Sequence, residues 1–149
     1  MDKFPEEYIK RGKFKLHSGE ETDVFYDINA LLTNPKYLFG VIKRVPVANH
    51  YIGISSGGAM IAMGVSLRRL KPYSIIKDGE LKGSSPKDDW ILIDDVSTTE
   101  NSLRDALKIV DSQPREIFVV VDRRKDKRLK LEAMFEIWIS GFKTSQIFF

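Results

Sequence analysis

The sequence predicts an α/β fold: an open, mostly parallel sheet with helices on both of its faces. Two observations carry this prediction. The segments 51–55, 90–94 and 116–122 are apolar along nearly their whole length, which is typical of strands buried on both faces of a parallel sheet. Segments with a helical spacing of apolar residues lie between them, and this alternation is the pattern of α/β proteins. We expect a single domain spanning 1–149.

The amino-terminal part is predicted to form a small hairpin, or hood, beside the sheet. Residues 5–12 have the spacing of a short amphipathic helix. Residues 14–16 and 24–28 are strand-like and flank the turn-rich segment HSGEETD, so they are expected to pair as two strands.

From residue 34 onward the predicted elements alternate regularly. Asn34 can cap a helix and Pro35 is tolerated at the first helical position, so we predict a helix from here to Val45. The remaining elements are predicted as a strand at 51–55, a helix at 59–70, a strand at 72–76, a loop at 77–89, the central strand at 90–94, a helix at 103–110, a strand at 116–122, a short helix after the basic segment RRKDKRLK, and a last strand at 135–140.

Composition restricts the classes of function. The net charge of +3 is too small an excess to indicate nucleic-acid binding. The absence of cysteine excludes thiol nucleophiles, disulfides and thiolate metal sites. No apolar run approaches the roughly 20 residues of a membrane-spanning helix, and the first residues lack the apolar stretch of a signal peptide. We therefore expect a cytoplasmic protein with neither a membrane nor a nucleic-acid partner.

Three predicted strands end in loops suited to ligand binding: SSGG at 55–58, DDVSTTENS at 94–102 and DRRK at 122–125. In open α/β sheets, ligands lie at the carboxyl ends of the strands. Small residues before a helix offer backbone N–H groups and the positive end of the helix dipole, which favour an anion. The glycines of SSGG permit close approach of an anion such as pyrophosphate, although such turns also serve plain strand-to-helix packing.

The loop at 94–102 combines two kinds of group. Asp94 and Asp95 would repel a phosphate, but they can accept hydrogen bonds from a sugar diol and stabilise positive charge on its ring. Five small polar residues suit a phosphate: Ser97, Thr98, Thr99, Asn101 and Ser102. A diol and a phosphate together describe a ribose 5-phosphate. Two alternatives stay open: Asp95 and Thr98 only cap the helix, or the aspartates hold a metal, as in a phosphatase or receiver-like fold.

The segment ILIDDVSTTENSL resembles the signature of type I phosphoribosyltransferases, in which a hydrophobic strand, two acidic residues and a hydroxyl-rich loop bind phosphoribosyl pyrophosphate (PRPP). Four further blocks resemble the orotate branch of that family and stand in its order: GKFKLHSGEETDVFYDI, YIGISSGGAMIA, PYSIIK and VVVDRRK. The resemblance implies that fold and the transfer of ribose 5-phosphate from PRPP to a pyrimidine base, orotate first among them. The products would be orotidine 5'-monophosphate and pyrophosphate.

The resemblance also implies how PRPP is held. Asp94 and Asp95 would hold the ribose hydroxyls, and the small polar residues of 97–102 would hold the 5-phosphate. The pyrophosphate, with Mg²⁺ bound through PRPP rather than by the protein, would lie against Ser55, Ser56, Gly57 and Gly58. The transition state would resemble an oxocarbenium ion, which the aspartates stabilise while Mg²⁺ and a lysine neutralise the leaving group.

Five further residues receive roles by resemblance. Phe25 and Tyr26 fall where the family stacks the base, although two hairpin aromatics also suit a core. Arg123 matches the arginine that pairs with the carboxylate of orotate, a contact that suits a guanidinium fork; the alternative is a solvated member of the run RRKDKR. Lys77 matches a PRPP-contacting lysine, and Lys82 would substitute for the catalytic lysine. Because the family usually forms dimers, we expect a homodimer.

Several residues depart from the family's pattern. Glu100 stands where the family has glycine, and a carboxylate beside a phosphate is expected to lower affinity unless it points outward as an exposed residue. The loop at 77–89 is short and lacks the family's Lys-x-His-Gly segment. Glu20 and Glu21 stand where basic residues are common. The two histidines are expected to be surface or hairpin residues rather than catalysts: His17 and His50.

These departures leave three classes of function open. The first is a phosphoribosyltransferase for orotate or another base. The second is a non-catalytic regulatory protein that binds PRPP or a nucleotide, and the third is a structural or partner-binding domain on the same scaffold. Tighter PRPP binding and restored turnover on Glu100→Gly would favour the second class for the natural chain. The apolar tail at 146–149 is expected to pack on the domain or on a partner.

Overall fold

A computed structural model describes residues 3–15, 19, 21–140 and 144–148, and side-chain surroundings as far as residue 137. Seven of the nine strands in the described ranges belong to one sheet. The strands are β1 (Ile9–Lys15), β2 (Glu21–Tyr26), β3 (His50–Ile54), β4 (Tyr73–Lys77), β5 (Glu80–Lys82), β6 (Trp90–Ser97), β7 (Glu116–Asp122), β8 (Glu132–Ser140) and β9 (Thr144–Phe148). The helices are α1 (Ile28–Thr33), α2 (Pro35–Arg44), α3 (Gly57–Arg69) and α4 (Asn101–Ile109), with a 3₁₀ turn at Glu6–Tyr8.

Seven strands form the main sheet in the order β5-β4-β3-β6-β7-β8-β9. The central pairs β4/β3, β3/β6, β6/β7 and β7/β8 are parallel, whereas β5 and β9 run antiparallel at the two edges. Crossover helices α3 and α4 follow β3 and β6, as parallel pairing requires. The predicted open and mostly parallel α/β sheet is confirmed.

The sheet is covered on both faces, as its side-chain alternation shows. Ile91 and Ile93 of β6 join one apolar core with α1, α2 and α3, and Trp90 and Leu92 join a second core with α4. Successive strand residues point to opposite faces, so a continuous apolar run serves two cores at once. The hood joins the first core through Phe4, whose ring meets Phe135 of β8 edge-on at 5.2 Å.

The amino-terminal prediction is partly wrong. Instead of a helix over 5–12, a 3₁₀ turn ends at Tyr8 and β1 begins at Ile9, which pairs with Tyr26 of β2. Short isolated helices are marginal in water, so pairing with β2 decides the conformation. Strand β2 also stops at Tyr26, because the Asp27 side chain accepts the Ala30 N–H at 3.0 Å and starts α1, which the sequence analysis missed.

Two further predictions need correction. Part of the predicted loop at 77–89 is a hairpin: Asp78 and Gly79 have φ values of 52° and 74° and join β4 to β5, the turn for which Asp-Gly is suited. The short helix expected after RRKDKRLK is wrong, since 123–131 contains no helix and β8 begins at Glu132.

The remaining expectations concern the carboxyl terminus and the histidines. Strand β9 pairs with β8, so 146–148 lies on the domain's own sheet; Phe149 lies outside the described residues. His50 is buried rather than on the surface, and its Nε2 lies 2.8 Å from the Ser74 hydroxyl. The expectations for His17 and Glu20 also fall outside the described residues. Among the described helices, none has the length and apolar character to cross a membrane.

Candidate active site

Three loops meet at one edge of the sheet. Strands β3, β6 and β7 are parallel neighbours, so the loops that follow them emerge together. Asp122 at the end of β7 is in register with Ser97 of β6, and the Arg123 N–H donates to the Ser97 carbonyl at 2.8 Å. On the other side of β6, a Cβ at Gly57 would collide with the Asp95 carboxylate. The structure therefore brings together the three loops that the sequence analysis selected.

The loop between β6 and α4 forms a small pocket. Strand β6 extends to Ser97, three residues beyond its predicted end, and α4 begins at Asn101. The pocket has a volume of about 30 Å³ and is lined by Asp94 and 96–103. Thr98 and Thr99 are exposed at its rim. Exposed hydroxyls and the start of a helix are groups that bind a phosphate.

The two aspartates have no cationic partner among the described residues. Asp94 is buried and accepts the Asp95 N–H at 2.8 Å, while half-buried Asp95 accepts the Val96 N–H at 2.8 Å. Burial raises the pKa of Asp94, and the neighbouring carboxylate raises it further. The alternative that Asp95 caps α4 is wrong, because Glu100 occupies the capping position and Asp95 bonds to β6. Both carboxylates can accept a donor such as a ribose hydroxyl.

The SSGG loop packs tightly against β6. Gly57 and Gly58 are buried, and a Cβ at Gly58 would collide with the Ile93 carbonyl. Ser55 and Ser56, joined by a cis peptide bond, are exposed. The packing role of the glycines is confirmed, and it presents the two serines beside Asp95. Their contact with pyrophosphate stays a prediction.

Glu100 is buried, so its carboxylate does not point outward, which was the condition under which it was expected to leave phosphate affinity unchanged. Burial alone would raise its pKa, but N–H donors of Leu129 and Arg128 and the guanidinium groups of Arg124 and Arg104 outweigh it and lower the pKa to about 2. Its charge is therefore compensated from within the protein.

Arg123, the residue predicted to bind the base, lies next to Tyr26. The Arg123 guanidinium lies 5.9 Å from the centre of the Tyr26 ring. Its Nε is buried without a hydrogen-bond partner in the described part of the chain, and so is the Tyr26 hydroxyl. Burial lowers the pKa of Arg123 and raises that of Tyr26 to about 12. These orphaned polar groups are suited to a ligand with a carboxylate.

Phe25 and Tyr26 lie on opposite faces of β2. Tyr26 belongs to the core, whereas Phe25 is exposed and packs on Phe14 with ring centres 5.5 Å apart. Because neighbouring strand residues alternate, the two rings are not brought to one side. Tyr26, which adjoins Arg123, is the one of the two that the structure places at the site edge.

The lysines lie on the far side of the SSGG loop. Lys77 is exposed at the end of β4, and its neighbour Ile76 accepts the Ser55 N–H at 2.9 Å. Lys82 on β5 forms an exposed ion pair with Glu80 at 2.5 Å, and this hydrogen bond raises the pKa of Lys82. Lys77 is thus close to the site through β4, whereas Lys82 already has an anionic partner.

Sequence reasoning missed Asp122 and Arg124 in the surroundings of the site. The Nε and Nη2 atoms of Arg124 donate to the two Asp122 oxygens at 2.8 Å each. An Asp-x-Arg triplet at a strand end was the available signal. No cluster of three or more His, Asp and Glu side chains within the described ranges could hold a metal ion.

No protein-family model matches the chain. The chain is 35% identical over 147 residues to the orotate phosphoribosyltransferase of Pyrococcus abyssi, an alignment that covers 83% of this chain and 79% of that protein. The chain belongs to the orotate phosphoribosyltransferase family. The enzyme of that name from Methanococcus maripaludis is 31% identical over 149 residues, with 83% and 77% covered.

Solved structures agree with this assignment. The orotate phosphoribosyltransferase of Aeropyrum pernix superposes with a TM-score of 0.66 at 25% identity, covering 78% of this chain and 77% of that one. The adenine phosphoribosyltransferase of Leishmania donovani has a TM-score of 0.55 at 16% identity, covering 68% and 59%. The latter likeness shows the shared type I phosphoribosyltransferase fold alone.

Proposed function

We propose that this protein transfers ribose 5-phosphate from PRPP to orotate, giving orotidine 5'-monophosphate and pyrophosphate. One observation carries the proposal: in a member of this family, a hydroxyl-rich loop, two carboxylates without a cationic partner among the described residues, and an arginine whose Nε has no partner in that part of the chain lie at adjacent strand ends. These are the groups that a ribose, its 5-phosphate and an acidic base require.

PRPP binding would use the loop 94–102 as a cradle. Ser97, Thr98, Thr99, Asn101 and Ser102 would surround the 5-phosphate, whose charge the first turn of α4 favours. Asp94 and Asp95 would accept hydrogen bonds from the ribose hydroxyls. The serines at 55 and 56 would contact the pyrophosphate, with Lys77 approaching from β4.

The aspartates would also act on the reaction itself. Departure of pyrophosphate leaves positive charge on the ribose ring, and a fixed carboxylate in a water-poor site stabilises that charge. Asp95, packed against Gly57, is held in place for this purpose. Burial and the neighbouring Asp95 raise the pKa of Asp94, and hydrogen bonds from ribose hydroxyls would lower it by favouring the charged form.

Mg²⁺ is proposed as the cofactor, bound through PRPP rather than by protein ligands. When bound, it would neutralise charge on the pyrophosphate leaving group. The residues suit an ion that arrives with its ligand, because Ser55 and Ser56 are exposed next to Gly57, which packs against Asp95, and all three side chains carry oxygen atoms.

Orotate would be held by Arg123. A guanidinium matches a carboxylate with two parallel hydrogen bonds, and the Nε of Arg123 has no competing partner in the described chain. Tyr26 adjoins this guanidinium and is expected to border the base. Phe25 and Lys82 stay as predictions for the base and the catalytic lysine.

The proposal is tested by titrating the purified protein with PRPP and Mg²⁺ in a calorimeter and then adding orotate. Micromolar PRPP binding, followed by heat of turnover and release of pyrophosphate, is the expected result. Adenine in place of orotate serves as the control base. Turnover with adenine but not with orotate, or no binding of PRPP at all, would contradict the proposal.

A second candidate, a regulatory protein that binds PRPP without turnover, is favoured by one observation. The short β4–β5 hairpin holds Lys82 in an ion pair with Glu80, so it offers no free lysine at that position. PRPP binding without heat on adding orotate would identify this function.

We also propose a homodimer that works in the cytoplasm. Large apolar side chains are exposed on α2, on α3 and directly after α3: Phe39, Met63, Leu67 and Leu70. Exposed apolar patches of this kind mark protein interfaces. Light scattering after size exclusion is expected to give twice the mass of 17.1 kDa, and a monomer at micromolar concentration would contradict the dimer.

A further inference from the structure

Glu100 is a buried acid that the proposed chemistry does not use. Its Oε1 accepts a hydrogen bond from Nη2 of Arg104 at 2.9 Å. Its Oε2 accepts from Nη1 of Arg124 at 2.5 Å and from the N–H groups of Arg128 and Leu129 at 3.0 and 2.8 Å. One carboxylate thus takes four donors from two parts of the chain, α4 and the stretch after β7.

The backbone of Glu100 shows that these contacts do more than neutralise charge. Its φ of 68° lies in the left-handed region, which is costlier for a residue with a Cβ than for glycine. Glu100 holds this conformation directly between Thr99 of the phosphate loop and Asn101, the first residue of α4. The side-chain contacts therefore fix the backbone at the point where the loop becomes the helix.

Arg124 connects Glu100 to the segment that contains Arg123, the residue proposed to bind the base. It is buried, donates to both oxygens of Asp122, and donates through Nη1 to the Leu129 carbonyl at 2.7 Å. Its neighbour in the chain is Arg123, whose Nε has no partner among the described residues. With Arg124 held by Glu100 and Asp122, the backbone that presents Arg123 is held as well.

We propose that Glu100 is a positioning residue that, through its buried ion pair with Arg124, fixes the phosphate-binding loop and Arg123 together. It supports the binding of both PRPP and orotate without touching either substrate. This inference rests on the proposed function for its meaning in catalysis, but the mechanical link between 97–102 and 123–129 is a property of the chain alone.

Removal of Glu100 is expected to change PRPP binding in the opposite direction to the one that charge alone predicts. A lone carboxylate beside a phosphate would weaken PRPP binding. Here the guanidinium groups of Arg104 and Arg124 compensate the carboxylate. Its removal takes the anionic partner from Arg104, leaves Arg124 with Asp122 alone as its anionic partner, and frees the loop from its contact with the stretch after β7. Glu100→Gly is therefore expected to weaken PRPP binding, although glycine suits the backbone better.

The first test measures amide hydrogen exchange of the ligand-free protein and needs no activity. Glu100→Gln keeps the size of the side chain and removes its charge. It is expected to speed exchange about fivefold or more in both 97–102 and 123–129, because the Glu100 carboxylate that connects the two segments loses its charge. Asp105→Asn removes an exposed charge from the same helix and is the matched control, expected to behave as wild type.

The outcomes of this test are distinct. Unchanged exchange in 123–129 would overturn the inference, since Glu100 would then anchor only its own loop. If Glu100→Gln does not fold, Arg104→Gln takes its place, because it removes only the more exposed partner. That variant is expected to speed exchange in both segments by a smaller factor, and no change in either segment would also overturn the inference.

The second test measures steady-state kinetics of Glu100→Gln and Glu100→Gly beside Asp105→Asn. The KM values for PRPP and orotate are both expected to rise about five- to tenfold, with kcat changed much less. Unchanged KM values with a lower melting temperature would show a purely structural role, and tighter PRPP binding by Glu100→Gly would show an obstacle. Either result overturns the inference. If the wild-type protein is inactive and does not bind PRPP, the proposed function is rejected, and the hydrogen-exchange test alone then decides whether Glu100 positions the two segments.

Discussion

Asp94 and Glu100 are equally buried, with 5% and 4% of their surfaces exposed, yet they titrate in opposite directions. Asp94 has an acidic neighbour and no cationic partner among the described residues, so burial raises its pKa. Burial acts on Glu100 in the same sense, but four hydrogen-bond donors, two of them on arginines, lower its pKa to about 2. Partners therefore decide the charge of these acids, and burial alone does not.

The two adjacent arginines show the same contrast. Arg124 bonds to Asp122, Glu100 and the Leu129 carbonyl, whereas the Nε of Arg123 is buried without a partner in the described chain. Of the two acids, Glu100 is saturated with hydrogen-bond donors and Asp94 is not. Of the two arginines, Arg124 is saturated with acceptors and Arg123 is not. In the proposed function, the saturated pair, Glu100 and Arg124, fixes the two loops in position, and the unsaturated groups, Asp94 and Arg123, bind substrate.

The largest expected effect follows from removing the unsaturated acids. Asp94→Asn and Asp95→Asn are each expected to lower kcat about 100-fold or more, because each removes a group that stabilises charge on the ribose ring. At neutral pH, Asp94→Asn is also expected to raise the melting temperature, since it removes a buried acid whose raised pKa lowers the stability of the folded state at that pH. Initial rates of orotate consumption and thermal melts check both statements, and an active Asp95→Asn would contradict the assignment.

The arginines give a matched pair of variants with a smaller effect. Arg123→Gln is expected to raise the KM for orotate about tenfold or more, with PRPP affinity unchanged, because a bidentate contact to a carboxylate is lost. Arg124→Gln is expected to raise both KM values and to lower the melting temperature. Kinetics at saturating co-substrate separate these patterns. Equal behaviour of the two variants would remove the distinction between a saturated and an unsaturated arginine.

The two acids are expected to change the pH dependence of the melting temperature by a few degrees, in opposite directions. The raised pKa of Asp94 means that the folded protein keeps a proton that the unfolded chain releases, so stability falls as pH rises above the ordinary aspartate range. Glu100 stabilises the folded state above its unfolded pKa near 4.5, and this contribution is lost as pH falls toward 2.

Melting temperatures from pH 2 to 9 test this contrast. Asp94→Asn is expected to flatten the profile between about pH 4 and pH 8, and Glu100→Gln is expected to flatten it between about pH 4.5 and pH 2, each by about 2–4 °C for each kcal/mol involved. The control is Asp105→Asn, whose profile is expected to follow the wild type. A profile that Asp94→Asn leaves unchanged would show that Asp94 is not the group that titrates.

Much of this arrangement could be predicted from local sequence. The strand at 116–122 has its predicted bounds, and Asn34 caps α2 through its side chain as predicted. The three strand-end loops also meet as expected, because parallel neighbours share one edge. In each case the deciding interactions are local, or they follow from the order of the elements.

The errors arose where distant contacts decide. Residues 9–15 form β1 because β2 pairs with them. The spacing of apolar residues within this segment contains no information about that pairing. The direction of Glu100 depends on Arg124 and the Leu129 N–H, which are more than 20 positions away. From the sequence alone, the Glu100 carboxylate is expected to lower phosphate affinity, because the cations that compensate it are not apparent. The β4–β5 hairpin is different, since its Asp-Gly turn was a local signal that the sequence analysis missed.

The smallest expected effect concerns the Tyr26 hydroxyl, which lies beside Arg123. It is buried without a partner among the described residues, so Tyr26→Phe removes an unsatisfied polar atom and is expected to leave stability unchanged or slightly higher. Two results are then informative for orotate. A KM within twofold of wild type would assign the hydroxyl to the core, together with the ring that packs on Phe4. A KM several-fold higher, with PRPP affinity unchanged, would place the hydroxyl with Arg123 among the groups kept unsaturated for the base.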